Sequence, residues 1–207
     1  PSLVSVAQNA GFADRRLRDR LAVMTSQAAA SPSASFPDMF PARKELEGAY
    51  RFFANPRVTP DDLLSSHVDQ TRRAAAEAGV VLVVHDTSTC SFDPEGSRKG
   101  LGRIRSAGQA FFAHVSLVLA SDGSRRPLGV SALKTWTRGD EPSRGESARW
   151  FESIELSAVR LGGKHHLLHV MDREADDYEL LSVLVEGSHR FVIRQKSDRL
   201  LPIEVPG

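Results

Sequence analysis

Two aspartates stand where apolar runs of the chain stop. Asp86 closes VVLVVHD, residues 80–86, and Asp172 closes HHLLHVMD, residues 165–172. Close carboxylates repel, and each resists ionising unless a cation stands between them. Mg²⁺ is the natural candidate and Mn²⁺ the alternative, since such a hard ion takes oxygen ligands, keeps several waters and is held by one or two carboxylates plus substrate phosphates. Two such ions about 3.5–4 Å apart can activate a water and steady a leaving oxygen in phosphodiester cleavage. The competing role for Asp172 is helix capping, because READDYELL follows it directly. Asp93 and Asp177 read as turn and first-helical-turn acids. Asp176 has the same reading, or else supports the metal shell.

The histidines give a weaker signal. His165, His166 and His169 lie on one predicted strand, whose alternation sends neighbours to opposite sides, and no cysteine is close by. Zinc is therefore not expected. His114, in FFAHVSL, reads as a hydrogen-bonded core residue or one lining the site. The GLG at 100–102 lacks the strand-to-helix setting of a phosphate loop.

The elements that would position these acids follow from pattern. Residues 13–30 form a predicted helix with Asp14 as N-cap, Leu17, Leu21 and Met24 on one stripe, and Arg15, Arg16, Arg18 and Arg20 elsewhere. Residues 42–55 predict a second helix, ending before Pro56. Residues 58–79 predict a third, with Thr59 as N-cap, Pro60 at its first position, Asp62 completing a capping box and Gly79 closing it. From residue 80 the pattern changes. VVLVVHDTST predicts a central strand, and 91–108 a Gly-rich basic loop. Residues 109–121 and 126–136 predict strands joined by the hairpin signal DGSR. Residues 147–163 predict a helix with Trp150, Ile154 and Leu161 inward, then come a strand to Asp172, a helix over 173–187 and a last strand, RFVIRQK. The order β-β-β-α-β-α-β is that of a ribonuclease-H-like mixed sheet. The reading is an α/β chain with a helical domain at 1–79 and a sheet domain at 80–207. If the strands of Asp86 and Asp172 are neighbours, both carboxylates project from one sheet edge, where open α/β sheets gather their ligands.

Composition excludes little. The 207 residues carry a formal net charge of +1, so any nucleic-acid affinity must come from local clustering. No stretch approaches the roughly 20 apolar residues of a membrane span. The single Cys90 rules out an intramolecular disulfide and suits the cytoplasm.

MDREADDYELL resembles the second-aspartate motif of the bacterial DDE transposases of the insertion-sequence-four group, the Tn-five-like transposases. VVHDTST resembles their first-aspartate motif, GLGRIRSAGQAFFAHVSL their Gly-rich loop and following strand, and RFVIRQK the strand whose basic residues border the active site. DRRLRDRL and EGAYRFFANPRV are similar to their helical domain that binds transposon ends. The resemblance implies catalysis and metal binding at Asp86 and Asp172, with Asp176 and His114 as supporting residues. It implies DNA contacts by Arg16, Arg20, Tyr50, Arg51, Arg98, Lys99, Arg103, Arg105, Arg194 and Lys196. The implied partners are terminal inverted repeats and target DNA, with a homo-oligomer expected only of the full-length parent. The family's third carboxylate, in a Tyr-Arg-Glu-Lys signature, has no counterpart after Arg194, and Glu204 lies in a Pro-broken tail. The expectation is thus an amino-terminal portion of such an enzyme, weak or inactive alone. Its rivals are an end-binding protein or inhibitor without catalysis, and, more remotely, a metal-dependent phosphoesterase.

Overall fold

Local signals place the helices of the first unit. The Ser2 hydroxyl accepts from the Ser5 N–H and starts α1, Leu3–Gln8, which the sequence pattern did not call for. The Asp14 carboxylate accepts from the Arg16 N–H and starts α2, Arg15–Ala30. α3 covers Arg43–Phe53, and α4 covers Pro60–Ala78. At the start of α4 the Thr59 hydroxyl both accepts from the Asp62 N–H and donates to the Asp62 carboxylate. The computed structural model describes residues 2–93, 95, 98–104, 108–137, 146–196 and 198, with side chains left undescribed at 103, 104, 146 and 147. Two compact units result, residues 1–70 and 71–207, so the division falls within α4.

The first unit is held by Phe12, Met24, Phe40, Ala49 and Phe52, with Leu17, Leu21 and Leu46 packed against them. Phe12 meets Phe52 edge to face at 5.8 Å. Among the described residues no helix is long and apolar enough to cross a membrane.

The second unit is a mixed sheet with helices. Its strands are β1 Val81–Phe92, β2 Gly102–Ile104, β3 Gly108–Ala120, β4 Pro127–Trp136, β5 Leu167–Met171 and β6 Phe191–Ile193. β1 is central, antiparallel to β3 and parallel to β5. β6 extends the sheet beyond β5, while β2 and β4 both pair with β3. Continuous Val and Leu in β1 suit a strand hydrogen-bonded on both sides. The pattern had read 91–108 as loop throughout, but its Gly102–Ile104 portion pairs antiparallel with β3.

α5, Glu146–Leu161, and α6, Tyr178–Glu186, cover the face carrying Val81, Val83, Leu167 and Met171. Ile154, Leu180 and Leu184 are almost wholly removed from water there. One correction concerns 173–187, read as a single helix. The chain makes a 3-10 turn at Arg173–Ala175, leaves helical geometry at Asp176, and restarts at α6. The Asp177 carboxylate accepts from the N–H groups of Glu179 and Leu180, and that cap fixes the restart.

Candidate functional site

The parallel ladder between β1 and β5 runs from Val81 opposite Leu167 to His85 opposite Met171. Asp86 and Asp172 are the next residue on each strand. The Asp172 backbone stays extended, with φ −83° and ψ −172°, so pleat alternation sends both acids to the face opposite buried His85 and Met171. Both are exposed. The Asp86 carboxylate accepts from the Ser88 hydroxyl at 3.2 Å. One oxygen of Asp172 accepts from the Glu174 N–H at 2.9 Å and caps the 3-10 turn, which leaves its second oxygen outside that bond. Oxygen-only donors on adjacent strand ends suit a hard divalent ion completed by water or phosphate oxygens. Among the described residues no group of three or more His, Cys, Asp or Glu is arranged to hold a metal.

Residues around this edge divide into two groups. Arg194 follows Ile193, which is opposite Met171, so its backbone arrives beside Asp172; its N–H donates to the Met171 carbonyl at 3.2 Å. Asp176 accepts from the Lys196 N–H at 2.7 Å and ties the segment after β5 to the segment after β6. His114, by contrast, lies on the helix-covered face. It hydrogen-bonds the Thr87 hydroxyl at 2.8 Å and meets Trp150 edge-on at 4.7 Å. In the basic loop, the Arg98 guanidinium donates to the Asp93 carbonyl at 2.9 Å and lies over the Phe92 ring. Lys99 is exposed. Arg103 contributes backbone pairing to Gln109, its side chain lies outside the described residues, and so does Arg105 entirely.

Sequence reasoning took His114 alone as a hydrogen-bonded core or site-lining residue, and did not see the layer of buried imidazoles to which it belongs on the helix-covered face. His85 Nδ1 meets the Ser116 hydroxyl at 3.0 Å, and His85 Nε2 meets His169 Nδ1 at 2.9 Å. His85 stacks on His114 at 5.7 Å between centroids, and His169 meets His189 edge-on at 5.8 Å. The signal was available, since His85 and His169 share strand parity with the buried valines and leucines beside them. Burial drives the His85 pKa well below 6.5, with the neighbouring His169 and His114 adding to the effect. Burial likewise pushes His114 and His169 down to about 4.

These imidazoles are neutral in the fold and take up protons on unfolding, so acid favours the unfolded chain. Stability contributed by keeping them neutral is complete above pH 6.5 and is lost as pH falls from there through about 4. Thermal unfolding followed by circular dichroism is expected to give a midpoint that declines across this window. A flat midpoint down to pH 4 contradicts the neutral assignment.

In the first unit, α2 and α3 form a groove lined by Arg16, Arg20, Lys44 and Arg51, together with Asp19 and Glu45. Arg16 is held by Asp14 at 3.1 Å. Tyr50 is 52% exposed but does not line this groove; it packs against Phe36 at 5.6 Å. Gly48 lines a second cleft that shares Arg16, Arg20 and Arg51, and a Cβ there would fall 2.9 Å from the Arg20 guanidinium carbon. That guanidinium is the free end of a flexible side chain, so Gly48→Ala moves Arg20 more readily than it damages the fold. Alanine in a helix interior is favoured over glycine by about 1 kcal/mol. Gly48→Ala is expected to hold or raise the unfolding temperature measured by circular dichroism. A marked fall would show that Arg20 cannot yield and that the added methyl strains the fold.

Comparison with known proteins adds a match of residues 5–58 to the transposase DNA-binding family, a stretch that takes in most of α1 and all of α2 and α3. The Mos1 transposase paired-end complex with left transposon end aligns over 82% of this chain and 57% of its own, at 11% identity and a TM-score of 0.35. The Mos1 strand transfer complex aligns over 82% of this chain and 56% of its own, at 10% identity and a TM-score of 0.31. The chain thus spans little more than half the length of these structures, and likeness at such scores assigns neither fold nor function.

Proposed function

We propose that this chain is the end-binding and catalytic-core portion of a DNA transposase of the DDE type, in the insertion-sequence-four, Tn-five-like group. The observation that carries the reading is the match of residues 5–58 to the transposase DNA-binding family, with Arg16, Arg20 and Arg51 lining one groove inside that region. Arginine neutralises phosphates and offers a forked donor set to base edges. The recognised DNA is the terminal inverted repeat.

The ribonuclease-H-like reading of the second unit is supported by its strand order, with central β1 antiparallel to β3 and parallel to β5. Asp86 and Asp172 are the residues that would hold Mg²⁺ or Mn²⁺. The bound ion supplies activation of a nucleophilic oxygen and stabilisation of the leaving one in phosphodiester chemistry. The protein's own groups orient the DNA. Arg194 and Lys196 border the acid edge on the β6 side, and Lys99 stands in the loop after β1, each able to neutralise backbone phosphates.

A second reading, an end-binding protein or inhibitor without catalysis, is favoured by the absence of a three-ligand metal group among the described residues. Both readings require end binding. Gel shift with DNA carrying the inverted repeats that flank the gene, against scrambled DNA at equal salt, is expected to show preferential retardation of the repeats. Equal or absent retardation at low salt overturns the function. Cleavage in Mg²⁺ separates the two readings.

A further inference from the structure

We propose that the buried side-chain chain Ser116–His85–His169 is a positioning device that sets the Asp86 and Asp172 carboxylates for one divalent ion. The inference rests on the metal reading above and adds residues that touch neither metal nor DNA.

The backbone ladder ties Asp86 to Val115 of β3 but does not tie it to Asp172. Its last rung between β1 and β5 is His85 opposite Met171, so both carboxylates project from just past the point where those strands are paired. The imidazoles supply a link close behind that point. His85 precedes Asp86, and through its two ring nitrogens it reaches β3 at Ser116 and β5 at His169. Three strands are thereby joined by side chains in one line, at sites only 0–2% exposed. A neutral imidazole donates through one nitrogen and accepts through the other. The direction of the Ser116 bond therefore fixes the direction of the His169 bond, and the ring orientation of His85 with it.

Position makes this more than ordinary core satisfaction. His169 pairs in register with Val83, so the His85–His169 bond runs diagonally and resists sliding of β5 along β1. A slide by one residue would turn Asp172 to the helix-covered face, away from Asp86. Ser116 is directly opposite His85 in the β1–β3 ladder, and its hydroxyl anchors one nitrogen of that ring. Beyond the bonded line, the His189 ring meets His169 edge-on at 5.8 Å, and its Nε2 meets Glu155 of α5 at 2.6 Å.

The test is Mn²⁺ binding by electron paramagnetic resonance on the whole chain, with unfolding temperature measured in parallel. Groups that orient metal ligands typically change affinity by about 10–100-fold when removed. His169→Leu is expected to weaken Mn²⁺ binding at least about tenfold and to broaden the bound spectrum. His169→Asn places an amide atom near the Nδ1 position and is expected to restore most of that affinity. Ser116→Ala, a smaller change that removes the far end of the line, is expected to weaken binding a fewfold even if His169→Leu fails to fold. Wild-type affinity in Ser116→Ala, or no recovery by Asn over Leu, overturns the positioning role. Equal Mn²⁺ binding by wild type and the Asp86→Asn/Asp172→Asn double variant overturns the metal reading itself, and this role with it.

Discussion

Asp86→Asn and Asp172→Asn are each expected to lower divalent-ion affinity by about 100-fold while leaving the fold intact, a contrast that follows from the separate jobs of charge and hydrogen bonding. Asn is as good an N-cap as Asp, so Asp172→Asn keeps the bond to the Glu174 N–H that starts the 3-10 turn. Asn at position 86 still accepts from the Ser88 hydroxyl. Both sites are exposed, so no buried volume changes. What disappears is one of the two negative charges proposed to face one ion. Isothermal titration with Mn²⁺, paired with thermal unfolding, reads the two quantities apart. Loss of stability together with affinity would make these acids structural caps. Unchanged affinity would place any bound ion elsewhere.

The second large effect concerns the groove between α2 and α3. Arg16→Ala/Arg20→Ala is expected to weaken inverted-repeat binding by about 100-fold at moderate salt. It should also flatten the salt dependence, since each lost phosphate contact removes about 0.9 from the slope of log affinity against log salt. The chain carries a formal net charge of only +1, so a clustered pair matters more than it would on a uniformly basic protein. Helix α2 survives the change. Its cap is the Asp14 carboxylate accepting from the backbone N–H of residue 16, a bond that does not need the arginine side chain. Anisotropy titrations at several salt concentrations measure both numbers. Weakened affinity with an unchanged slope would assign the arginines to base edges alone, and no weakening would remove them from the interface.

The elements that were legible in the sequence are those whose signals are local. Thr59, Pro60 and Asp62 spell out the start of α4 within a few residues, and the Val-Leu run of β1 announces a strand paired on both sides. Leu17, Leu21 and Met24 mark the inward stripe of α2 through a single period. Elements that escaped depend on partners distant in sequence or on too few residues. α1 is shorter than two turns, below the length at which helical periodicity registers. β2 has three residues, and only its pairing with β3 makes it a strand. In DREADD all three aspartates are competent caps, and pattern alone could not say that Asp172 and Asp177 each start a separate turn.

The candidate site shows the same division. Asp86 and Asp172 stood out because an apolar run ends at each, but their adjacency required knowing that β1 and β5 are paired in parallel. For the histidine layer, burial of His85 and His169 was readable from strand parity, but their assembly was not. His85, His114 and His169 come from three separate strands, and only the folded sheet brings their rings together. Gly48 gave no signal either, since its role lies in the space it leaves for Arg20 on another helix.

A crystal of the protein soaked in Mn²⁺ and measured at the manganese absorption edge tests the central claim most directly. One anomalous peak is expected at the shared end of β1 and β5, within coordination distance of oxygens from both Asp86 and Asp172. Carboxylates turned to opposite faces of the sheet, or a peak bound by only one of them, would contradict it.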